Sequence, residues 1–173
     1  MSLEQLRDKI TIIPQDPTLF NGTLRFNLDP QNKYSDEELL ELASQAALDK
    51  LIERDEKGLN QEIEEHGQNL SSGEKQLLCI CRAILKKNKI VLMDEATANI
   101  DIKTEQIIQK LIKEKFEEAT VITIAHRLNT IIHSDKVLVL EKGEAIEFDS
   151  PQKLLENPNS MFYALVQTAN KHN

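Results

Sequence analysis

Apolar residues along the chain follow two rhythms. Lys9–Ile13 (KITII), Lys89–Met93 (KIVLM) and Thr120–Ala125 (TVITIA) are short, mostly apolar runs rich in β-branched residues. Runs of this length predict strands, and KIVLM is the continuous type that parallel sheets bury on both faces. Pro14 stops the first run. Turn formers then crowd the next stretch: Asp16, Pro17, Asn21, Gly22, Asp29, Pro30 and Asn32. From Ser35 the rhythm becomes helical. Ser35 and Glu38 have capping-box spacing, and Leu39, Leu42, Ala43, Ala46 and Ala47 carry the apolar stripe to about Glu53. A second helix is predicted from about Gly73 to Lys87 and a third from Lys103 to about Glu118. A short helix over Leu128–Ile132 follows. Lys136–Phe148 reads as two strands turning at Lys142-Gly143, and helices close the chain at Gln152–Glu156 and Met161–Asn170. Strands alternating with helices after Lys89 predict an α/β fold with a parallel sheet. The mostly helical stretch before Lys89 predicts a helical insertion.

Composition narrows this picture. The chain has 173 residues, 40% hydrophobic and 29% charged, ordinary values for a globular domain with a core of its own. Unbroken apolar runs such as Leu77–Cys81 are too short to span a bilayer. MSLEQLRDK has no apolar stretch of the secretory kind, so neither secretion nor a membrane span is expected. The net charge of −8 is local: Ser35–His66 holds eleven acidic and three basic residues, and the rest is balanced. This argues against a protein built to grip nucleic acid, and the acidic stretch reads as a solvated face. Cys79 and Cys81 cannot make a disulfide framework and read as core-facing helix residues of a reducing compartment.

Four places carry candidate chemistry. IVLMDEAT delivers Asp94 and Glu95 to the C-terminal end of a buried strand, where open α/β sheets bind ligands. Asp94 suits Mg²⁺, which takes oxygen ligands and keeps several waters. Glu95 can polarise a water attacking a γ-phosphate. In NLSSGEKQ, Asn69, Ser71 and Ser72 can cap a helix whose N–H groups and dipole make an anion site, and Gly73 lets a phosphate approach closely. His126 ends a strand and can contact a phosphate oxygen. Gln15 follows the first strand and can orient a metal-bound water. Each site taken alone has a plain structural alternative: an acidic loop, an N-cap, a structural histidine, a turn residue. Their spacing is less ordinary. Gly73 precedes Asp94 by 21 residues and Glu95 precedes His126 by 31, so all fall at one edge of one sheet.

With these residues in this order the chain resembles the nucleotide-binding domain of ATP-binding cassette (ABC) proteins. Leu70–Glu74 (LSSGE) is similar to the signature motif and IVLMDE to Walker B. Ala98-Asn99-Ile100-Asp101 is similar to the D-loop, His126 to the switch histidine and Gln15 to the Q-loop glutamine. IIPQDPTLFNGTLRFNLDP and TIAHRLNTIIHSDKVLVLEKGE look like the second such domain of subfamily C exporters, the multidrug-resistance-associated proteins. The resemblance implies an α/β, P-loop NTPase-like parallel sheet with an inserted helical subdomain. Residues 1–15 would be core strand and Q-loop, 16–88 the helical subdomain with the signature, 89–150 the core with Walker B, D-loop and switch histidine, and 151–173 C-terminal helices. It implies ATP and Mg²⁺ as cofactors. Glu95, His126 and Gln15 would be catalytic, Asp94 and Gln15 would serve the metal, and Leu70, Ser71, Ser72, Gly73, Glu74 and Asp101 would bind nucleotide. The implied partners are a second nucleotide-binding domain, paired head to tail around ATP, and the transmembrane domains of an exporter at the cytoplasmic face of a membrane; nucleic acid is not among them. Phe20, Leu24 and Phe26 are assigned to contact with that transmembrane part, with packing onto the domain core an equal alternative.

Two features depart from the family pattern. No glycine is followed by Lys-Ser or Lys-Thr, so the P-loop G-x-x-x-x-G-K-[ST] is absent and the fold is expected to be incomplete. By resemblance, the missing strand belongs beside the strand ending at His126. The chain alone is therefore expected to bind ATP poorly and to aggregate or need a partner. In the signature, Ser72 stands for a glycine and Glu74 for a glutamine, which brings a negative charge close to a phosphate site. An ATPase domain of an exporter is the leading reading, and a non-hydrolysing module that completes or blocks a partner's ATP site is the alternative. A DNA-acting cassette with a long coiled coil is excluded by the 55 residues from Gln15 to Leu70, which lack sustained heptads. The acidic balance argues against a ribosome-acting one.

Overall fold

The computed structural model describes residues 2–94, 100–124 and 131–170. These fall into two compact units divided after Ile124.

The first unit opens with α1 (Leu3–Lys9), capped by Ser2 in a reciprocal box with Gln5. The helix passes directly into β1 (Ile10–Ile13), so Lys9 ends a helix and does not begin the strand. β1 pairs in parallel with β4 (Ile90–Asp94), which pairs in parallel with β5 (Thr120–Ile124). Between β1 and β4 lies the helical stretch. It contains the antiparallel pair β2 (Gly22–Thr23) and β3 (Glu62–Ile63), with α2 (Leu24–Leu28), α3 (Asp36–Gln45), α4 (Asp49–Ile52) and the 15-residue α5 (Ser72–Lys86). α6 (Ile102–Lys115) connects β4 to β5.

The sheet buries one face. Register places Thr11, Val91 and Val121 in one row and Ile13, Met93 and Thr123 in another. Val91 and Met93 join a core with Leu77, Leu78 and Ile80 of α5 and Ile108 and Leu111 of α6. The opposite row, Ile12, Leu92 and Ile122, contributes nothing to that core; Ile12 is 65% exposed and Ile122 54%. The expectation that KIVLM is buried on both faces is corrected: Val91 and Met93 are buried, Leu92 is half-buried and Ile90 is exposed. Among the described residues β5 is paired on one side only. Cys79 and Cys81 lie in the interior of α5 as expected, and burial pushes the Cys81 thiol up to about 12.

α3 forms as its sequence predicts. Ser35 accepts from the Glu38 N–H, Glu38 accepts in return from the Ser35 N–H, and three acids occupy the first turn. It does not reach Glu53. Ala47 adopts a left-handed conformation (φ +53°), its N–H donates to the Ser44 carbonyl, and the Leu48 N–H donates to the Ala43 carbonyl. This is a Schellman stop with alanine where glycine usually stands. It turns the chain so that Ala46 and Leu48 are both buried.

The second unit holds the hairpin β6 (Val137–Glu141) and β7 (Glu144–Asp149), α7 (Pro151–Glu156) and α8 (Met161–Asn170). Lys142 and Gly143 both have positive φ, as a two-residue hairpin turn requires. Val137 and Val139 pack with Phe162 and Val166. Glu147 ties the two layers together. Its carboxylate accepts from the Met161 N–H (2.8 Å), the Phe162 N–H (3.0 Å) and the Ser160 hydroxyl (3.1 Å). Burial alone would raise its pKa; these three hydrogen bonds outweigh burial and hold it below the ordinary glutamate value.

Two outcomes are expected. Ala47→Gly removes the left-handed penalty at the end of α3 and raises the opening free energy of α3 amides by about 0.5–1 kcal/mol in native-state hydrogen exchange. Because Glu147 is depressed on folding, its contribution is complete above the unfolded value near 4.3 and is lost as pH falls through the lower folded value. Protection of α8 should therefore decline with acid in that window, and Glu147→Gln should flatten the decline.

Candidate functional site

The parallel sheet sends its strand ends to one edge. Ile13 lies level with Met93 and Thr123, so Pro14-Gln15, Asp94 and Ile124 fall at the same edge of the sheet. Gln15 and Asp94 are exposed there. Glu95, Ala98, Asn99 and His126 lie outside the described residues, as does most of the helix expected over Leu128–Ile132. No cluster of three or more His, Cys, Asp or Glu side chains occurs among the described residues. Among the described residues Asp94 is an exposed carboxylate at a strand end. That fits a Mg²⁺ that draws its other ligands from phosphate and water.

The start of α5 is built from its own sequence. Ser71 is the N-cap; its hydroxyl accepts from the Glu74 N–H (3.2 Å), and the Glu74 carboxylate accepts from the Ser71 N–H (2.8 Å) and hydroxyl (3.0 Å). Asn69 does not cap the helix. Its amide bridges the preceding strand instead, accepting from the Glu64 N–H (3.1 Å) and donating to the Glu62 carbonyl (2.9 Å). Leu70 is buried, and its N–H donates to the Gly67 carbonyl. Gly67 has φ +64°, and a Cβ there would lie 2.7 Å from a Leu19 methyl. Glu74 does not extend freely toward an incoming anion: its second oxygen pairs with the Arg54 guanidinium.

Gly73 has a reason that the sequence does not disclose. A Cβ at this position would lie 3.0 Å from Thr104 Cγ2, on the first turn of α6. The Thr104 hydroxyl donates to Asp101 (2.6 Å), and Asp101 also accepts the N–H groups of Lys103 and Thr104 as the N-cap of α6. Thr104's hydroxyl and N–H hold the Asp101 carboxyl below the usual aspartate range. Gly73 and Asp101, two predicted nucleotide-binding residues 28 positions apart, are therefore joined through one threonine.

Sequence reasoning passed over three residues. Gln76 is buried on the inner stripe of α5, and its Nε2 has no hydrogen-bond partner among the described residues. Its signal is a polar residue three places after Gly73 and four before Ile80 on an otherwise apolar stripe. Arg54 is one of three basic residues in the acidic stretch. Arg82 locks the loop after Gln15 onto α5, donating to the carbonyls of Asn27 (2.7 Å) and Thr18 (3.0 Å). That loop presents Phe20 and Phe26 as an exposed edge-to-face pair 6.3 Å apart, with the Arg82 guanidinium 5.5 Å from the Phe20 ring. Leu24 is corrected to a core residue, 1% exposed.

Comparison with known proteins gives a consistent result. The ABC transporter family pattern matches residues 1–98. ATP-binding cassette sub-family C member 4 of Mus musculus is 51% identical over 99% of this chain, and sub-family C member 2 of Rattus norvegicus is 50% identical over all of it. The chain spans 13% and 11% of those proteins. In three dimensions it is similar to a bacterial Atm1-family ABC exporter with ATP bound, at a TM-score of 0.86 and 36% identity, covering 96% of this chain and 29% of that one.

Gly73→Ala is expected to cost about 1–2 kcal/mol, because Thr104 is held by Asp101 and cannot yield. Thr104→Ser removes the opposing methyl and keeps the hydroxyl. In that background Gly73→Ala should become neutral or stabilising through its helix propensity. A double-mutant cycle in urea checks both values.

Proposed function

The chain belongs to the ABC transporter family, as a nucleotide-binding domain of the subfamily C type, and from that premise we propose that it serves ATP hydrolysis driving export across a membrane. What supports this reading above all is the start of α5. A capped, 15-residue helix begins at LSSGE beside the D-loop residue Asp101, in a unit whose sheet edge also carries Gln15 and Asp94.

In this mechanism each residue has one task. Asp94 holds the cation of a Mg–ATP complex, and Gln15 orients a water at the same edge. When bound, Mg²⁺ neutralises charge on the β- and γ-phosphates. Glu95 takes the proton of the attacking water, and His126 contacts the γ-phosphate. The N-terminus of α5 offers its dipole and the small residues Ser72 and Gly73 to phosphate. In a head-to-tail pair the ATP that Leu70–Glu74 completes rests on the P-loop of the second nucleotide-binding domain, and is a different ATP from the one that Asp94 and Glu95 serve. In this reading Phe20 and Phe26 are the contact offered to the transmembrane domains, and the chain works at the cytoplasmic face. Among the described residues no helix is long and apolar enough to cross a membrane.

Calorimetric titration of ATP into the chain alone is expected to show no micromolar binding. Adding a P-loop-bearing partner domain should bring ATP-dependent association that Ser72→Asp, in the segment offered to the partner's ATP, abolishes. Micromolar binding by the chain alone, or association indifferent to Ser72→Asp, would overturn the reading.

A further inference from the structure

A carboxylate three residues into a helix suits the helix dipole but opposes an anion at the same end. Glu74 occupies that position in the segment assigned above to phosphate. Its charge is answered locally. One carboxylate oxygen is spent on the Ser71 N–H and hydroxyl, and the other is paired with Arg54. The same guanidinium donates through its other terminal nitrogen to the Asn69 carbonyl (3.3 Å), and Asn69 is anchored by its side chain to both Glu62 and Glu64. Arg54 thus holds both ends of Asn69–Glu74, the stretch that contains Ser71, Ser72 and Gly73. The nearby cation Lys75 is otherwise engaged, donating to the His66 carbonyl (3.0 Å). The Arg54 side chain is 51% exposed and that of Glu74 only 20%, so the acid is tucked inward beneath its partner.

We propose that Arg54 is a positioning residue for the phosphate-facing end of α5, acting through Glu74: it cancels the glutamate's charge and holds its carboxylate back against Ser71, so that a signature carrying Glu still accepts a nucleotide phosphate. This rests on the reading that Leu70–Glu74 completes an ATP site. The pair acts on electrostatics and placement more than on folding, because exposed ion pairs contribute little to stability.

The test is steady-state ATP hydrolysis by the transporter that carries this chain, with three variants. Arg54→Ala should raise KM for ATP about tenfold and change kcat less than about twofold. Adding Glu74→Gln to Arg54→Ala should bring KM back to within about threefold of the unsubstituted protein, because the uncompensated charge is gone. Ser72→Asp places a new acid at the exposed first residue of α5 and reports whether nucleotide faces it at all. A raised KM for Arg54→Ala, rescued by Glu74→Gln, supports the proposal. A raised KM without rescue assigns Arg54 a merely structural role and overturns it. An unchanged KM for Arg54→Ala, with a raised one for Ser72→Asp, overturns the role of Arg54 and leaves the site reading standing. Unchanged values for both variants overturn the site reading and the proposal with it.

Discussion

Two helices begin within van der Waals reach of each other because residue 73 lacks a Cβ. The first turn of α5 lies against Thr104 on the first turn of α6, and each helix start is fixed by its own cap, Ser71 with Glu74 in one and Asp101 in the other. Helix N-termini normally leave N–H groups that need partners. Here two such ends meet, and each cap satisfies part of its own end from within a short segment. α5 and α6 also cover the buried face of the sheet, contributing Leu77, Ile80, Ile108 and Leu111 to the core with Val91 and Met93. The contact at Gly73 therefore sets where α5 starts relative to the strands that deliver Gln15 and Asp94.

Elements whose signals are local were legible in the sequence. The capping box at Ser35, the cap at Ser71, three apolar strands of four or five residues, and the Lys142-Gly143 turn each carry their cause within four residues. The order of motifs carried the family as well. Features set by distant partners were hidden. The stop at Ala47 uses a residue that normally continues helices, and it exists because Ala46 and Leu48 are buried against other elements. Glu147 looks like an exposed strand residue until Ser160, Met161 and Phe162 arrive from the following helix. Nothing near Gly73 announces Thr104. The expectation for KIVLM failed for a related reason: an apolar run tells that a strand can be covered on both sides, and only the neighbouring elements tell whether it is.

The charge distribution can be understood in the same way. The acidic surplus lies on the helical stretch, where Glu and Asp mostly face solvent, yet its few basic residues are specifically placed. Arg54 pairs with the one acid of the α5 cap. Outside that stretch Arg25 binds Asp36 and the Tyr34 carbonyl, fastening the chain just before α3. Arg82 spends its donors on backbone carbonyls and an amide, and it braces the segment bearing Phe20 and Phe26. Guanidinium groups here act as fork-shaped clamps for loops, a use that lysine's single point charge cannot copy.

The pairing of β1 with β4 has a consequence for how the chain acquires its structure. Ile10 meets Ile90 and Ile13 meets Met93, so the first strand made must wait some eighty residues for its partner. Closing so long a loop is entropically costly unless the intervening chain has already contracted. The stretch from β2 to α5 is mostly helical, with short-range pairings and buried leucines of its own. During synthesis it can condense first and carry the ends of the loop toward each other. The inserted helical region would then be the nucleus on which the sheet is assembled, and substitutions there would slow folding more than substitutions in the strands.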